Sequence, residues 1–75
     1  MKYRITLSDR RNRRTVEACS AKGAVMLAVG RRLYSLQQSS AGTFRQEVWN
    51  VRTAVMTRNG GFTPVREIRA YVETI

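Results

Sequence analysis

The stretch SAKGAVMLAVGRRLYSLQQSS, residues 20–40, constrains the fold more than any other part of the chain. Its apolar residues recur at the i, i+3, i+4 spacing of an amphipathic helix, and Ser20 is placed to cap the first turn. A helix in the middle of a short chain must pack on the segments before and after it. The apolar stripe consists of Ala21, Val25, Ala28, Val29, Leu33 and Leu36.

Three residues interrupt this predicted helix. Gly23 and Gly30 each cost it about 1 kcal/mol relative to alanine, so we interpret them as points of close backbone approach to a sheet. Arg32 falls within the apolar stripe, where its long side chain is expected to pass the sheet edge and reach water. The small residues 39–42, SSAG, then predict the end of the helix.

The segments before the helix predict a hairpin. KYRITL, residues 2–7, and TVEAC, residues 15–19, both alternate between apolar and polar residues, as half-buried strands do. The polar stretch between them, SDRRNRR, becomes the hairpin tip, with Asp9 and Asn12 as turn-forming residues.

The segment 44–56 fits two structures. Its β-branched and aromatic residues alternate, which favours a strand, and Asn59-Gly60 after it is a strong hairpin signal. A helix with Thr43 and Gln46 as a capping box also fits. The alternating residues are Trp49, Val51, Thr53 and Val55, whereas the helical spacing joins Phe44, Val48, Val51 and Val55.

The last segment, 64–75, is also ambiguous. Ile68, Ala70 and Val72 alternate with polar residues, as in a strand, but Thr63-Pro64 could instead open a helix.

Together these patterns predict one small α+β domain spanning residues 1–75. Its expected order is β-β-α-β-β, with an antiparallel sheet of about four strands and one helix packed on one face. The helix stripe is expected to pack against apolar strand residues, namely Ile5, Leu7, Val16, Val51 and Ile68.

The residue types predict a protein that is not an enzyme. The chain has no histidine and a single cysteine, Cys19, so it offers no Cys/His pair, no Ser/His/Asp set and no metal cluster. We therefore expect no cofactor, no metal and no small-molecule substrate, with Cys19 as a small core or half-buried residue. The absence of a long apolar run predicts no membrane span and a cytoplasmic location.

Charge is the strongest functional signal. Lysine and arginine number 14 against 5 acids, a formal net charge of +9, and twelve of the bases are arginine. Such a chain suits polyanionic partners, either nucleic acid or an acidic protein surface, because guanidinium binds phosphates and carboxylates bidentately. An arginine-rich composition also fits a GC-rich coding sequence.

Two sets of arginines are candidate partner-binding residues. The hairpin tip concentrates like charges that repel one another without a counter-charge, so we predict it as the anchor. The sheet face away from the helix is expected to show further arginines among aromatic residues, either as a platform for single-stranded nucleic acid or simply as a solvated face. The first set is Arg10, Arg11, Arg13 and Arg14, and the second is Arg4, Arg52 and Arg69.

The order KYRITL, then TVEACSAKGAVMLAV from strand to helix, then two strands resembles the small ββαββ proteins encoded by phages and mobile elements. Anti-CRISPR inhibitors of type I surveillance complexes are among them. The resemblance implies a stoichiometric inhibitor in the cytoplasm of a host bacterium, which binds a Cascade subunit or its DNA path without catalysis. Many such proteins are acidic DNA mimics, so a basic one is expected to cover an acidic protein patch or bind the nucleic acid itself.

Overall fold

The computed structural model describes residues 1–10 and 13–75. In these residues the chain forms an α+β fold with one antiparallel sheet. The elements are β1 (Lys2–Leu7), β2 (Arg14–Glu17), α1 (Ala21–Val29), a 3₁₀ turn (Gly30–Arg32), β3 (Leu33–Gln38), β4 (Gln46–Thr53) and β5 (Arg66–Thr74).

The sheet has five strands in the order β2-β1-β5-β4-β3, and each neighbouring pair is antiparallel. Helix α1 packs on one face, over β1, β2 and β5. The predicted class and the single helix on one face are therefore confirmed, whereas the expectation of about four strands falls one short. The described part of the chain contains no helix long and apolar enough to cross a membrane.

The alternating segments form the strands that they predict. β1 and β2 form the expected hairpin, and β4 and β5 are strands rather than helices. Their apolar residues meet in one core because partners in register lie on the same face, as Ile5 does with Val72 and Val51 with Ile68. Val55, predicted to continue β4, lies beyond its end and is half exposed.

The predicted long helix is wrong in its second half. Ser20 caps α1 as expected, its side chain accepting a hydrogen bond from the Gly23 backbone N–H at 3.1 Å. The helix ends at Val29, because Gly30 adopts φ +69°, a conformation that favours glycine, and its N–H bonds to the Met26 carbonyl. The chain then leaves the helix axis, and residues 33–38 form β3 beside β4.

Two smaller expectations about this region are also wrong. Neither helix glycine marks a close approach to the sheet, since a Cβ at Gly23 would make ordinary contacts and one at Gly30 would meet nothing within 4 Å. Cys19 is exposed rather than part of the core, because it lies between the end of β2 and the start of α1.

Candidate functional site: an arginine-rich end of the sheet

Strand direction brings three separate segments to one end of the molecule. β1, α1 and β4 end there, and β2 and β5 begin there. The three segments are therefore the β1–β2 loop, the 3₁₀ turn after α1 and the connection between β4 and β5. We call this region, made of residues 8–10, 13–14, 30–32 and 54–66, the arginine end. Its described residues include one acid, Asp9, and seven arginines: Arg10, Arg13, Arg14, Arg31, Arg32, Arg58 and Arg66.

Arg32 joins the three segments. Its Nη1 donates to Asp9 Oδ2 at 2.8 Å, which ties the 3₁₀ turn to the β1–β2 loop. Its carbonyl accepts a hydrogen bond from the Ala54 N–H at 2.9 Å, which ties the same turn to the end of β4. The expectation that Arg32 passes the sheet edge to reach water is wrong, because Asp9 binds the guanidinium and its Nε and Nη2 are buried.

A groove of about 460 Å³ lies where these segments meet. Asp9 and Arg32 line one part of it, and Val55, Pro64 and Arg66 line another. The groove therefore presents guanidinium and apolar groups side by side.

The remaining arginines at this end carry uncompensated charge. Asp9 is already paired with Arg32, and among the described residues no other acid lies within ion-pair distance of an arginine at this end. All six are exposed: Arg10, Arg13, Arg14, Arg31, Arg58 and Arg66. Their positive charge is free to meet an anionic partner.

The connection between β4 and β5, residues 54–65, forms a small hydrogen-bonded arm. Met56 and Phe62 form a β-bridge, and the Thr57 N–H donates to the Gly61 carbonyl at 2.7 Å. The predicted Asn59-Gly60 turn closes it, with Gly60 at φ +79°. The arm exposes four large apolar side chains: Val55, Met56, Phe62 and Val65.

The open sheet face, opposite α1, is much less basic than the arginine end, so the two do not form one continuous basic surface. Arg4 pairs with Glu73 at 3.8 Å, and Arg52 is the register partner of Glu67. Arg69 is exposed beside Asn50. The strand residues of this face include four bases and three acids: Lys2, Arg4, Arg52 and Arg69 with Glu17, Glu67 and Glu73.

Two strand aromatics, Trp49 and Tyr71, are not exposed for a stacking platform on this face. Trp49 lies on the opposite face, buried in the core, and Tyr71 is half-buried beside the buried Val48. The arrangement matches the solvated-face interpretation better than the nucleic-acid platform.

The sequence-predicted site residues thus divide into two groups. Arg10, Arg13 and Arg14 are exposed at the arginine end, whereas Arg4, Arg52 and Arg69 lie on the open face, where three acids offset most of the positive charge. Arg11 and Asn12 lie outside the described residues.

Sequence reasoning missed four residues of this end, because only the sheet order brings them near the hairpin loop. The adjacent arginines of GRRL, residues 30–33, are a second basic cluster in the sequence and could have indicated two of them. The four are Arg31, Arg32, Arg58 and Arg66.

A second depression lies at the opposite end, between the start of α1 and the β3–β4 loop. Tyr3, Cys19, Phe44, Arg45 and Glu47 are among the residues that line it. The described residues hold no group of three or more His, Cys, Asp or Glu side chains suited to a metal. Without a histidine in the chain, Cys19 has no imidazole base to activate it.

Comparison with known proteins finds no family model, no curated protein and no solved structure that matches this chain.

Proposed function

We propose that this chain is a non-enzymatic binding protein that docks its arginine end onto an acidic patch of a larger protein complex. One observation carries the proposal: three segments distant in sequence bring six exposed arginines without an ion-pair partner to one end of the sheet. Such a charge distribution raises the rate of encounter with an acidic surface and orients the approach.

The arm favours a protein partner over nucleic acid. Phosphate binding needs positive charge and hydrogen-bond donors, whereas protein interfaces combine arginine with aromatic residues and methionine in their cores. The arm exposes Met56 and Phe62 close to Arg58, and the adjoining groove places Val55 beside Arg66. These apolar groups provide area that a partner can bury, which charge alone does not.

We further propose that the partner is a type I CRISPR surveillance complex, with this chain as its inhibitor. This part of the proposal depends on the resemblance to small ββαββ proteins. The observed layout, β-β-α-β-β-β, differs from theirs by one added strand. The inhibitor would act by occupying a site on a Cascade subunit, without catalysis or cofactor.

The alternative function is a small DNA- or RNA-binding module that uses the same arginines. The cluster in the β1–β2 loop favours it, because flexible guanidinium groups can contact several phosphates.

The decisive experiment compares two triple variants of equal charge. One replaces Arg10, Arg13 and Arg14 by alanine, and the matched control replaces the open-face residues Arg4, Arg52 and Arg69. Each is used to capture partners from a bacterial lysate containing a type I complex, with and without nuclease, and to inhibit target-DNA binding by the purified complex.

We expect the wild type and the control to retain the complex after nuclease treatment and the first variant to lose at least about tenfold in affinity, because the first variant removes charge from the arginine end, whereas the control removes it from a face where acids offset most of the positive charge. Equal loss in both variants would show that net charge, not the arginine end, determines binding. Capture that disappears with nuclease would support the nucleic-acid alternative.

A further inference from the structure

The two edges of the sheet differ in how they are protected against pairing with another strand. β2 is a four-residue edge that begins with Arg14 and ends with Glu17. β3 is a six-residue edge, LYSLQQ, without a charged residue or a proline. Short length and charge are the usual means of blocking an edge, so β2 is blocked and β3 is not.

The register of β3 shows which backbone groups are free. The Ser39 N–H donates to the Val48 carbonyl at 2.8 Å, so hydrogen bonds to β4 come from alternate residues, including Ser35 and Gln37. The backbone groups of Leu36 and Gln38 therefore point away from the sheet. A register shift between Leu33 and Ser35 limits the regular part of the edge to its second half.

Charge decides which strand suits this edge. An acidic partner strand would be drawn to the arginine end, and the uncharged β3 offers it no counter-charge. A second copy of this chain fits better, provided that the two arginine ends stay apart. Antiparallel pairing of β3 with itself meets this condition, because it places the arginine end of each copy beside the opposite end of the other. That end is close to neutral, because three of the five acids offset most of its four bases. The acids are Glu17, Glu47 and Glu73, and the bases are Lys2, Arg4, Lys22 and Arg45.

We propose that two copies of this chain associate through β3 to form one continuous ten-stranded sheet. Leu36 and Gln38 of one copy exchange backbone hydrogen bonds with Gln38 and Leu36 of the other, around a two-fold axis at Gln37. Tyr34, 59% exposed near one end of the edge, lies where the second copy approaches. The dimer carries its two arginine ends at opposite ends, so it can engage two acidic sites.

Hydrogen exchange and mass measurement test this association directly. The full chain is examined from about 5 µM to about 500 µM by sedimentation velocity. Amide exchange is measured residue by residue at both extremes of concentration. We expect the mass to rise from 8.6 kDa towards twice that value. The Leu36 and Gln38 amides should exchange about tenfold more slowly in the dimer, whereas Ser35 and Gln37 stay protected throughout.

Three variants assign the interface. Gln38→Pro removes an outward N–H without breaking a hydrogen bond to β4, so it should remain monomeric and folded. Gln38→Ala removes the same side chain, with its 3.1 Å bond to Glu47, but keeps the N–H and should still dimerise. Thr15→Lys adds charge to the β2 edge and should have no effect.

A wild-type chain that stays monomeric at every concentration would overturn the proposal. So would a dimer that persists in Gln38→Pro, or one in which the Leu36 and Gln38 amides gain no protection. These outcomes do not depend on the partner proposed above, because each measurement uses the purified chain by itself.

Discussion

At the scale of single residues, Arg32 forms the shorter of the two ion pairs found among the described residues. Its side chain is 26% exposed and that of its partner Asp9 is 32% exposed, so water screens their ion pair only in part. Its Nε and Nη2 are buried without a hydrogen-bond partner. Removing the Asp9 carboxylate would therefore leave the half-buried Arg32 guanidinium without its counter-charge.

We expect Asp9→Asn to lower the free energy of unfolding by about 1 kcal/mol, because an ion pair of this exposure contributes little more than a hydrogen bond. The measurement is chemical denaturation of Asp9→Asn, Arg32→Gln and the double variant. A coupling energy of zero in this cycle would contradict the role given to the pair. Arg31→Gln, at an exposed arginine without an ion pair, is the control and should change stability by less than about 0.5 kcal/mol.

At the scale of elements, α1 has only nine residues, yet it supplies the buried side chains that cover one face of the sheet. Val25 is fully buried, and Ala24 and Ala28 beside it allow the helix to lie close to the sheet. Leu27, on the same helix, is 57% exposed. A charged side chain on the buried face of α1 should therefore lower the free energy of unfolding far more than one on its exposed face.

We expect Val25→Asp to unfold the domain, because an unpaired buried carboxylate costs about 4 kcal/mol or more, a large part of the stability of a domain this small. Circular dichroism during thermal melting measures this. The matched control, Leu27→Asp, should fold and melt within a few degrees of the wild type. Equal melting of Val25→Asp and the wild type would show that α1 does not form the core described above.

At the scale of the whole molecule, charge is segregated along the strands. The arginine end has one acid among its described residues. At the other end Glu17, Glu47 and Glu73 offset most of the charge of four bases, namely Lys2, Arg4, Lys22 and Arg45. A protein with this polarity approaches an anionic surface with one end first. The salt dependence of binding can distinguish the two kinds of anionic partner.

We expect the chain to bind duplex DNA only non-specifically, with Kd of about 10⁻⁴ to 10⁻⁶ M at physiological salt. Replacing Arg10, Arg11, Arg13 and Arg14 by alanine should flatten the dependence of log affinity on log salt by about 3 to 4, since each phosphate contact contributes about 0.9. Fluorescence anisotropy over a salt series measures both quantities. Nanomolar binding to DNA would instead favour the nucleic-acid module over the protein-binding inhibitor.

The local sequence was sufficient to predict the elements whose apolar spacing matches the side of the chain that is buried in the fold. The alternation in β1 and in Ile68, Ala70 and Val72 of β5 predicts strands with the correct buried face, and Ser20 predicts the start of α1. The sequence likewise predicts an exposed basic hairpin tip, and Arg10, Arg13 and Arg14 are exposed there. These features depend on neighbours within a few residues, which the sequence displays directly.

Tertiary structure decided the rest. Leu33 and Leu36 fit the helical stripe, yet they lie in β3, because the turn at Gly30 redirects the chain and pairing with β4 satisfies the backbone there. The site shows the same dependence. Arg31, Arg58 and Arg66 are remote from the hairpin loop in sequence and share one end with it only through the strand order β2-β1-β5-β4-β3. Contacts between distant segments have no local pattern, so only the folded chain reveals them.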